Sequence, residues 1–338
     1  MIHNLIKKVA PGIYVLLSKL NGFPLFIQIE TTGVCNLRCS MCEYSSNKSK
    51  NKNRMIDFDR FEKLFNTIFK SSSFIFRKIF PKSLLFDLTG IGEPFMNKDF
   101  LRFVKLLKEK GLTVTFASNF TLLNENIIKD LIDYKVDLIF VSLDGATKKS
   151  YESIRKGADF DKVINNLRKF VIIKGNKKPK LVIRFLVSSL NVKDMPLLVE
   201  LAKDIGIKNL SITRMNTSDQ NKELQVDPDD YKKYKELAVN KAKELGIELD
   251  FGLFSKKPIR KCKRSFNSMF ITYEGYVLPC CFVNQGGKYE EIKRLYNFGN
   301  VFERNIKEIW DDDKYKQFRK MIAKNKVPAV CKDCYLFY

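Results

Sequence analysis

Cys35, Cys39 and Cys42 lie on one short segment, with three residues between the first two and two between the last two. Three thiolates so spaced can wrap one [4Fe–4S] cubane and leave its fourth iron without a protein ligand, open to an exchangeable molecule. A structural zinc ion would want a fourth Cys or His close by, and the sole histidine is the distant His3. A second group follows more than two hundred residues later: Cys262, Cys280, and a closing Cys331-Lys-Asp-Cys334. Four such thiolates satisfy either an iron–sulfur cluster or a zinc ribbon, and the residues alone leave both open. Cys281 is left over, as a packed thiol, an alternative ligand to Cys280 or an acid–base group.

Disulfides account less well for these eight cysteines. Lys7 and Lys8 precede an apolar run at 9–17, as in a signal peptide, but Pro11 and Gly12 interrupt it and Ser18-Lys19-Leu20 offers no small-residue cleavage site. Reduced thiols in a cytoplasmic protein are therefore expected.

Other chemistry-bearing residues sit at the ends of apolar runs. Thr-Gly-Ile-Gly-Glu-Pro occupies 89–94, Ser118-Asn119 and Ser142-Leu-Asp144-Gly close two further runs, and Arg155 follows the latter. Arg184 interrupts Leu-Val-Ile-Arg-Phe-Leu-Val, where a charge must point into a lumen or meet an acid. Arg214 stands just past another run.

The CxxxCxxC triplet resembles the signature of the radical S-adenosylmethionine superfamily, and the resemblance extends from residue 23 to the end. It implies that S-adenosylmethionine chelates the open iron through its amino and carboxylate groups. One electron from the reduced cluster then yields a 5′-deoxyadenosyl radical that takes hydrogen from substrate. Gly90, Gly92 and Glu93 resemble the GGEP element that receives the methionine ammonium. Ser118 and Asn119 match a turn near the ribose, with Phe120 where relatives carry glycine. Ser142 and Arg155 match residues that hold the cofactor carboxylate. Met41 stands where many members have an aromatic residue.

Cys262, Cys280, Cys331 and Cys334 resemble the twitch domain, a shortened SPASM domain, and Gly275 fits its GX4C hairpin. The resemblance therefore favours a second [4Fe–4S] cluster over zinc, and too few cysteines remain for a third. It implies an enzyme served by a reducing partner such as flavodoxin or ferredoxin. The leading reading is oxidation of an alcohol in a small polar or sugar-like molecule, with the second cluster accepting an electron. Asp144, Arg184 and Arg214 are the catalytic candidates. Radical modification of a peptide or protein is the alternative. A basic nucleic-acid-binding protein with structural metal is the reading from another class, and it leaves the open-site triplet unexplained.

The elements that must position these residues alternate. Strands are expected at 25–29, 84–88, 113–116, 138–142, 181–187 and 209–213, with helices near 57–70, 98–110, 124–133, 159–173 and 194–205. Such alternation means parallel strands joined by right-handed crossovers. Six of them predict a partial (β/α)6 TIM-like barrel, with chemistry at the C-terminal strand ends. A helix at 228–245 and a short strand at 247–251 follow. A hairpin at 270–278 and a helix at 305–324 then belong to a small α+β twitch unit. The expected division is an N-terminal helical segment at 1–22, the barrel at 23–250 and the auxiliary domain at 251–338.

The net charge of +23 is spread along the chain. It favours anionic or polar partners, but no arginine-rich or aromatic-interleaved stripe marks a nucleic-acid site. The N-terminal segment, with Ile2, Leu5, Ile6 and Val9 on one helical face, admits a peripheral membrane contact.

Overall fold

The computed structural model describes residues 11–42, 54–80, 82–215, 219–251, 262–281 and 289–331. Its nine strands are β1 (Phe26–Ile29), β2 (Leu85–Asp87), β3 (Thr113–Ser118), β4 (Leu138–Ser142), β5 (Lys180–Val187), β6 (Asn209–Arg214), β7 (Glu248–Phe251), β8 (Ser268–Ile271) and β9 (Val277–Leu278). They form one open sheet in the order β7-β6-β5-β4-β3-β2-β1-β8-β9. All pairings are parallel except β8–β9.

The helices are α1 (Pro11–Asn21), α2 (Phe58–Ser71), α3 (Phe74–Ile79), α4 (Phe100–Glu109), α5 (Glu125–Asp133), α6 (Lys148–Ile154), α7 (Phe160–Lys174), α8 (Met195–Ile205), α9 (Pro228–Leu245), α10 (Arg264–Asn267), α11 (Tyr289–Tyr296), α12 (Ile306–Asp311) and α13 (Asp313–Ala323).

Alternation along each strand sorts the side chains onto two faces. Ile27, Phe86, Val114, Phe116, Ile139, Val141, Ile183 and Ile212 enter the main core with the crossover helices. The other face is the lumen of a partial barrel. Leu138, Phe140 and Val182 form a small apolar floor there, next to polar Gln28, Asp87, Ser142 and Arg184.

Two sequence expectations need correction. The strand at 247–251 joins the sheet as a seventh parallel strand beside β6, so the count exceeds six. The helix expected over 305–324 is two helices, because Asp312 leaves helical geometry (φ −60°, ψ 142°) and its side chain accepts from Lys314 N to cap α13. The hairpin forms at β8–β9, and β8 also lies parallel beside β1. The sheet is therefore continuous across the expected boundary near residue 250.

Candidate active site and cluster sites

Because the strands are parallel, the loops after β1, β2, β3 and β4 emerge at one end of the barrel. The cysteine loop after β1 is pinned on both sides. Arg38 N donates to Lys156 O (2.9 Å) and Ser40 N to Ile154 O (2.8 Å), which brackets Arg155 at the end of α6. Across the loop, Glu93 N donates to Val34 O at 2.9 Å. A Cβ at Gly92 would lie 2.5 Å from Val34 O and 2.6 Å from Thr32 O. Only glycine permits that approach.

These contacts bring Arg155 to the thiols, with Nη1 4.0 Å from Cys39 Sγ. Burial raises the Cys35 thiol above its ordinary range, with Glu93 and Cys42 adding to the effect. Burial pushes Cys39 up to about 11, while Arg155 pulls the other way. Thiols in this state need a cation to become thiolates. Arg155 Nη2 also pairs with Asp144 Oδ2 at 2.5 Å. Burial alone would lower the guanidinium pKa, but Asp144 and Cys39 outweigh it and raise it. Asp144 Oδ1 accepts from Leu186 N at 2.7 Å, so this acid is an anchor for Arg155 instead of a group open to the lumen. Ser142 ends β4 opposite Arg184.

Glu93 is buried, 3% exposed. Its Oε1 accepts from Ser118 Oγ (2.7 Å) and its Oε2 from Asn119 N (2.8 Å). Asn119 reaches back to the cysteine loop, its Nδ2 donating to Asn36 Oδ1 at 3.0 Å. Phe120 takes the left-handed conformation (φ 61°), the geometry that glycine would supply at that position. Gly90 packs its backbone on Glu30, whose Oε1 accepts from Ile91 N at 2.9 Å.

Arg184 faces the lumen, its guanidinium 3.4 Å from the centre of the Phe140 ring. Arg214 closes β6 opposite Val187, and its side chain lies outside the described part of the chain. Sequence reasoning missed two lumen residues, Asp87 and Arg264. Asp87 ends β2 on the inner face, with Oδ1 accepting from Thr89 N at 3.0 Å. Burial raises its pKa, while Arg184 and Arg264 act to lower it. Arg264, at the start of α10, stands over the Phe26 ring at 5.6 Å, with Nη1 3.7 Å from Cys281 Sγ. The missed signal was present for Asp87: a charge inside Leu-Leu-Phe-Asp-Leu has the same force as Arg184 in its strand.

The C-terminal thiols gather beside this lumen. Cys280 adds to the burial that raises the Cys262 thiol, and Cys280 and Cys262 both act on the buried Tyr315 hydroxyl. Cys331 is 8% exposed and belongs to the core that Cys262 edges. Cys334 lies outside the described residues. Gly275 (φ +92°) makes the β8–β9 turn, where a Cβ would meet Asn300 Oδ1 and Phe302 at 2.4 Å.

Among the described residues, no three Cys, His, Asp or Glu side chains close on a single metal ion. The fit to the cofactors rests on other observations. Three thiols share one clamped loop, the cradle around Gly92 admits no side chain, and Arg155 Nε is buried beside the thiols with no hydrogen-bond partner.

A partial parallel barrel with an open-ended cysteine triplet at its mouth defines the class: the chain belongs to the Radical SAM superfamily, whose family model matches residues 29–202. Residues 262–335 match the SPASM model, an iron-sulfur cluster-binding domain. The protein is thus a radical S-adenosylmethionine enzyme that binds S-adenosylmethionine and [4Fe–4S] clusters. It is 28% identical over 329 residues to the tungsten-containing aldehyde ferredoxin oxidoreductase cofactor-modifying protein of Pyrococcus furiosus, covering 92% of this chain and 87% of the relative. It is 23% identical over 342 residues to the AdoMet-dependent heme synthase of Methanosarcina barkeri, covering 93% and 89%. In fold it is similar to Streptococcus suis SuiB bound to S-adenosylmethionine, with a TM-score of 0.68, 18% identity, and 89% of this chain and 68% of that one covered.

Proposed function

We propose that the enzyme oxidises an alcohol carbon of a small anionic molecule held in the barrel lumen. The observation that carries this reading is Asp87, a buried carboxylate on the inner face, flanked by Arg184 and Arg264 and close enough to Cys281 to act on its thiol. Bound, the cofactors supply a hydrogen-abstracting 5′-deoxyadenosyl radical and a one-electron acceptor. The alcohol must also release its hydroxyl proton, and Asp87 is the group placed to take it. Its Oδ1 is fixed by Thr89 N, which orients the carboxylate. Arg184 and Arg264 offer charge-assisted hydrogen bonds to substrate carboxylate or phosphate. Two relatives that match more than nine-tenths of the chain are named for cofactor modification and heme synthesis, which favours a small molecule over a peptide.

In this reading Cys35, Cys39 and Cys42 hold one cluster, and Cys262, Cys280, Cys331 and Cys334 the other. Gly90, Gly92, Glu93, Ser118, Asn119, Ser142 and Arg155 form the S-adenosylmethionine site, where Asp144 keeps Arg155 beside Cys39. The barrel at 23–250 is the catalytic unit and 251–338 the auxiliary one. The setting is cytoplasmic, with a ferredoxin or flavodoxin as reductant.

The test is Asp87→Asn. Reconstituted enzyme is incubated anaerobically with reductant, S-adenosylmethionine and a polar metabolite extract, and dehydrogenated products are followed by mass spectrometry. The variant should still form 5′-deoxyadenosine in response to extract while product falls by about 100-fold or more. Product at the wild-type rate would remove Asp87 from the reaction.

A further inference from the structure

We propose that α1 and α3 together form a docking surface for an anionic lipid bilayer. The two helices are joined at their ends. Asn21, the last residue of α1, accepts at Oδ1 from Ser72 Oγ (3.0 Å) and from Ser73 N (2.9 Å), and Ser73 is the N-cap of α3. Helix α3 is held from beneath by Phe76, its one buried side chain. Arg77 folds back to donate to Phe69 O and Ser72 O, with its guanidinium 4.1 Å from the centre of the Phe69 ring.

This anchoring turns the remaining apolar side chains outward. Leu16 and Leu20 on α1 are 56% and 67% exposed, and Phe74, Ile75 and Ile79 on α3 are 71%, 68% and 63% exposed, with Phe80 adjoining at 41%. These six are half of the exposed large hydrophobic side chains among the described residues, confined to two short elements. Isolated exposed leucines need no explanation, whereas a contiguous cluster marks an interaction site.

Charge identifies the occupant. No Asp or Glu occurs from Met1 to Ile29, nor from Lys63 to Phe86. Lys19, Lys70, Lys78 and Lys82 are exposed around the apolar cluster. A second copy of the chain would bring like charges together on this face with no acid to offset them. An anionic bilayer instead offers hydrocarbon for the aromatic and aliphatic side chains and phosphate for the lysines.

The position in the fold suits the assignment. Helix α1 leads into the start of β1 and α3 into the start of β2, so both belong to the end of the barrel opposite the cysteine loop. Docking there leaves the barrel mouth open to substrate and reductant. Among the described residues no helix is long and apolar enough to cross a membrane, so contact is with the surface.

The test is co-sedimentation of the full chain with vesicles of phosphatidylcholine mixed with phosphatidylglycerol, against phosphatidylcholine alone, at low and high salt. Wild type should bind the anionic vesicles at least about tenfold more tightly, with salt removing the preference. Phe74→Ser/Ile75→Ser/Ile79→Ser should weaken binding by about tenfold or more while leaving circular dichroism and S-adenosylmethionine cleavage unchanged. Leu16→Ser/Leu20→Ser repeats the measurement on the other helix, and Lys70→Glu/Lys78→Glu should abolish the anionic preference. Wild-type binding by all three variants would overturn the proposal. So would absence of vesicle binding, or a dimer seen by light scattering that the apolar variants dissolve, which would assign the face to self-association.

Discussion

Glu93 concentrates the electrostatics of the mouth in one carboxyl. Two donors, Ser118 Oγ and Asn119 N, hold its oxygens, yet burial still pushes its pKa up to about 7. The folded protein therefore binds a proton that the unfolded chain releases near pH 4.5. As pH rises between those values the native state must give up that proton against desolvation, so stability falls. In the cofactor-free protein, Glu93→Gln should abolish this slope and gain about 1–3 kcal/mol relative to wild type above pH 7. Urea unfolding at pH 5 and pH 8 checks it, and an unchanged slope in the variant would place its origin elsewhere. At this scale the sequence spoke clearly where a motif was local. The triplet and Gly-Ile-Gly-Glu-Pro could be read directly, whereas the tie of Asp144 to Arg155 could not. That tie depends on the loop after β4 meeting the end of α6, which spacing does not encode. Asp87 was legible and passed over, because its run is shorter than the one around Arg184.

Among the elements, the starts of helices carried the firmest local signal. Asp57, Asn124, Asp159 and Asp227 each accept from the first turn of the helix that follows, and these starts match expectation closely. Short elements such as α3 and α6 offered too few turns for a period to emerge. At the end of the barrel where the strands begin, Asp137 ties several elements together. It accepts from Val114 N at 3.0 Å and from Lys108 Nζ at 2.5 Å, and pairs with Lys178. Burial pushes its pKa up, but the two lysines and the backbone N–H outweigh that and hold it below the usual carboxylate range. Its contribution is therefore present above about pH 4 and lost as the solution is acidified through the folded pKa. Asp137→Ala leaves the partly buried Lys108 ammonium without this partner and should cost about 2–3 kcal/mol at pH 7. Chemical denaturation measures the loss, and a cost under about 1 kcal/mol would show that Lys108 finds water instead.

Seen whole, the molecule joins two sets of thiols through one sheet. The pairing of β8 with β1 links residues some 240 positions apart, and no local pattern announces such a partner. The sequence thus showed two cysteine sets without showing that one sheet joins them. Arg264 spans the junction, acting on Cys262, Cys280, Cys281 and Asp87 together. The two sets of thiols can be separated by function. The double variant Cys262→Ala/Cys280→Ala should retain S-adenosylmethionine cleavage when reduced, because hydrogen bonds from Arg38, Ser40 and Glu93 clamp the triplet loop to α6 and to the Glu93 segment. Oxidised product should fall sharply, since a substrate that has lost one hydrogen must still pass on an electron. On the proposed assignment the same substitutions also remove cluster ligands that would staple the C-terminal unit, so iron retained on the triplet and circular dichroism must first show a folded protein. Given that, full product yield would leave the second site a structural staple, and loss of product with cleavage intact would make it the electron acceptor.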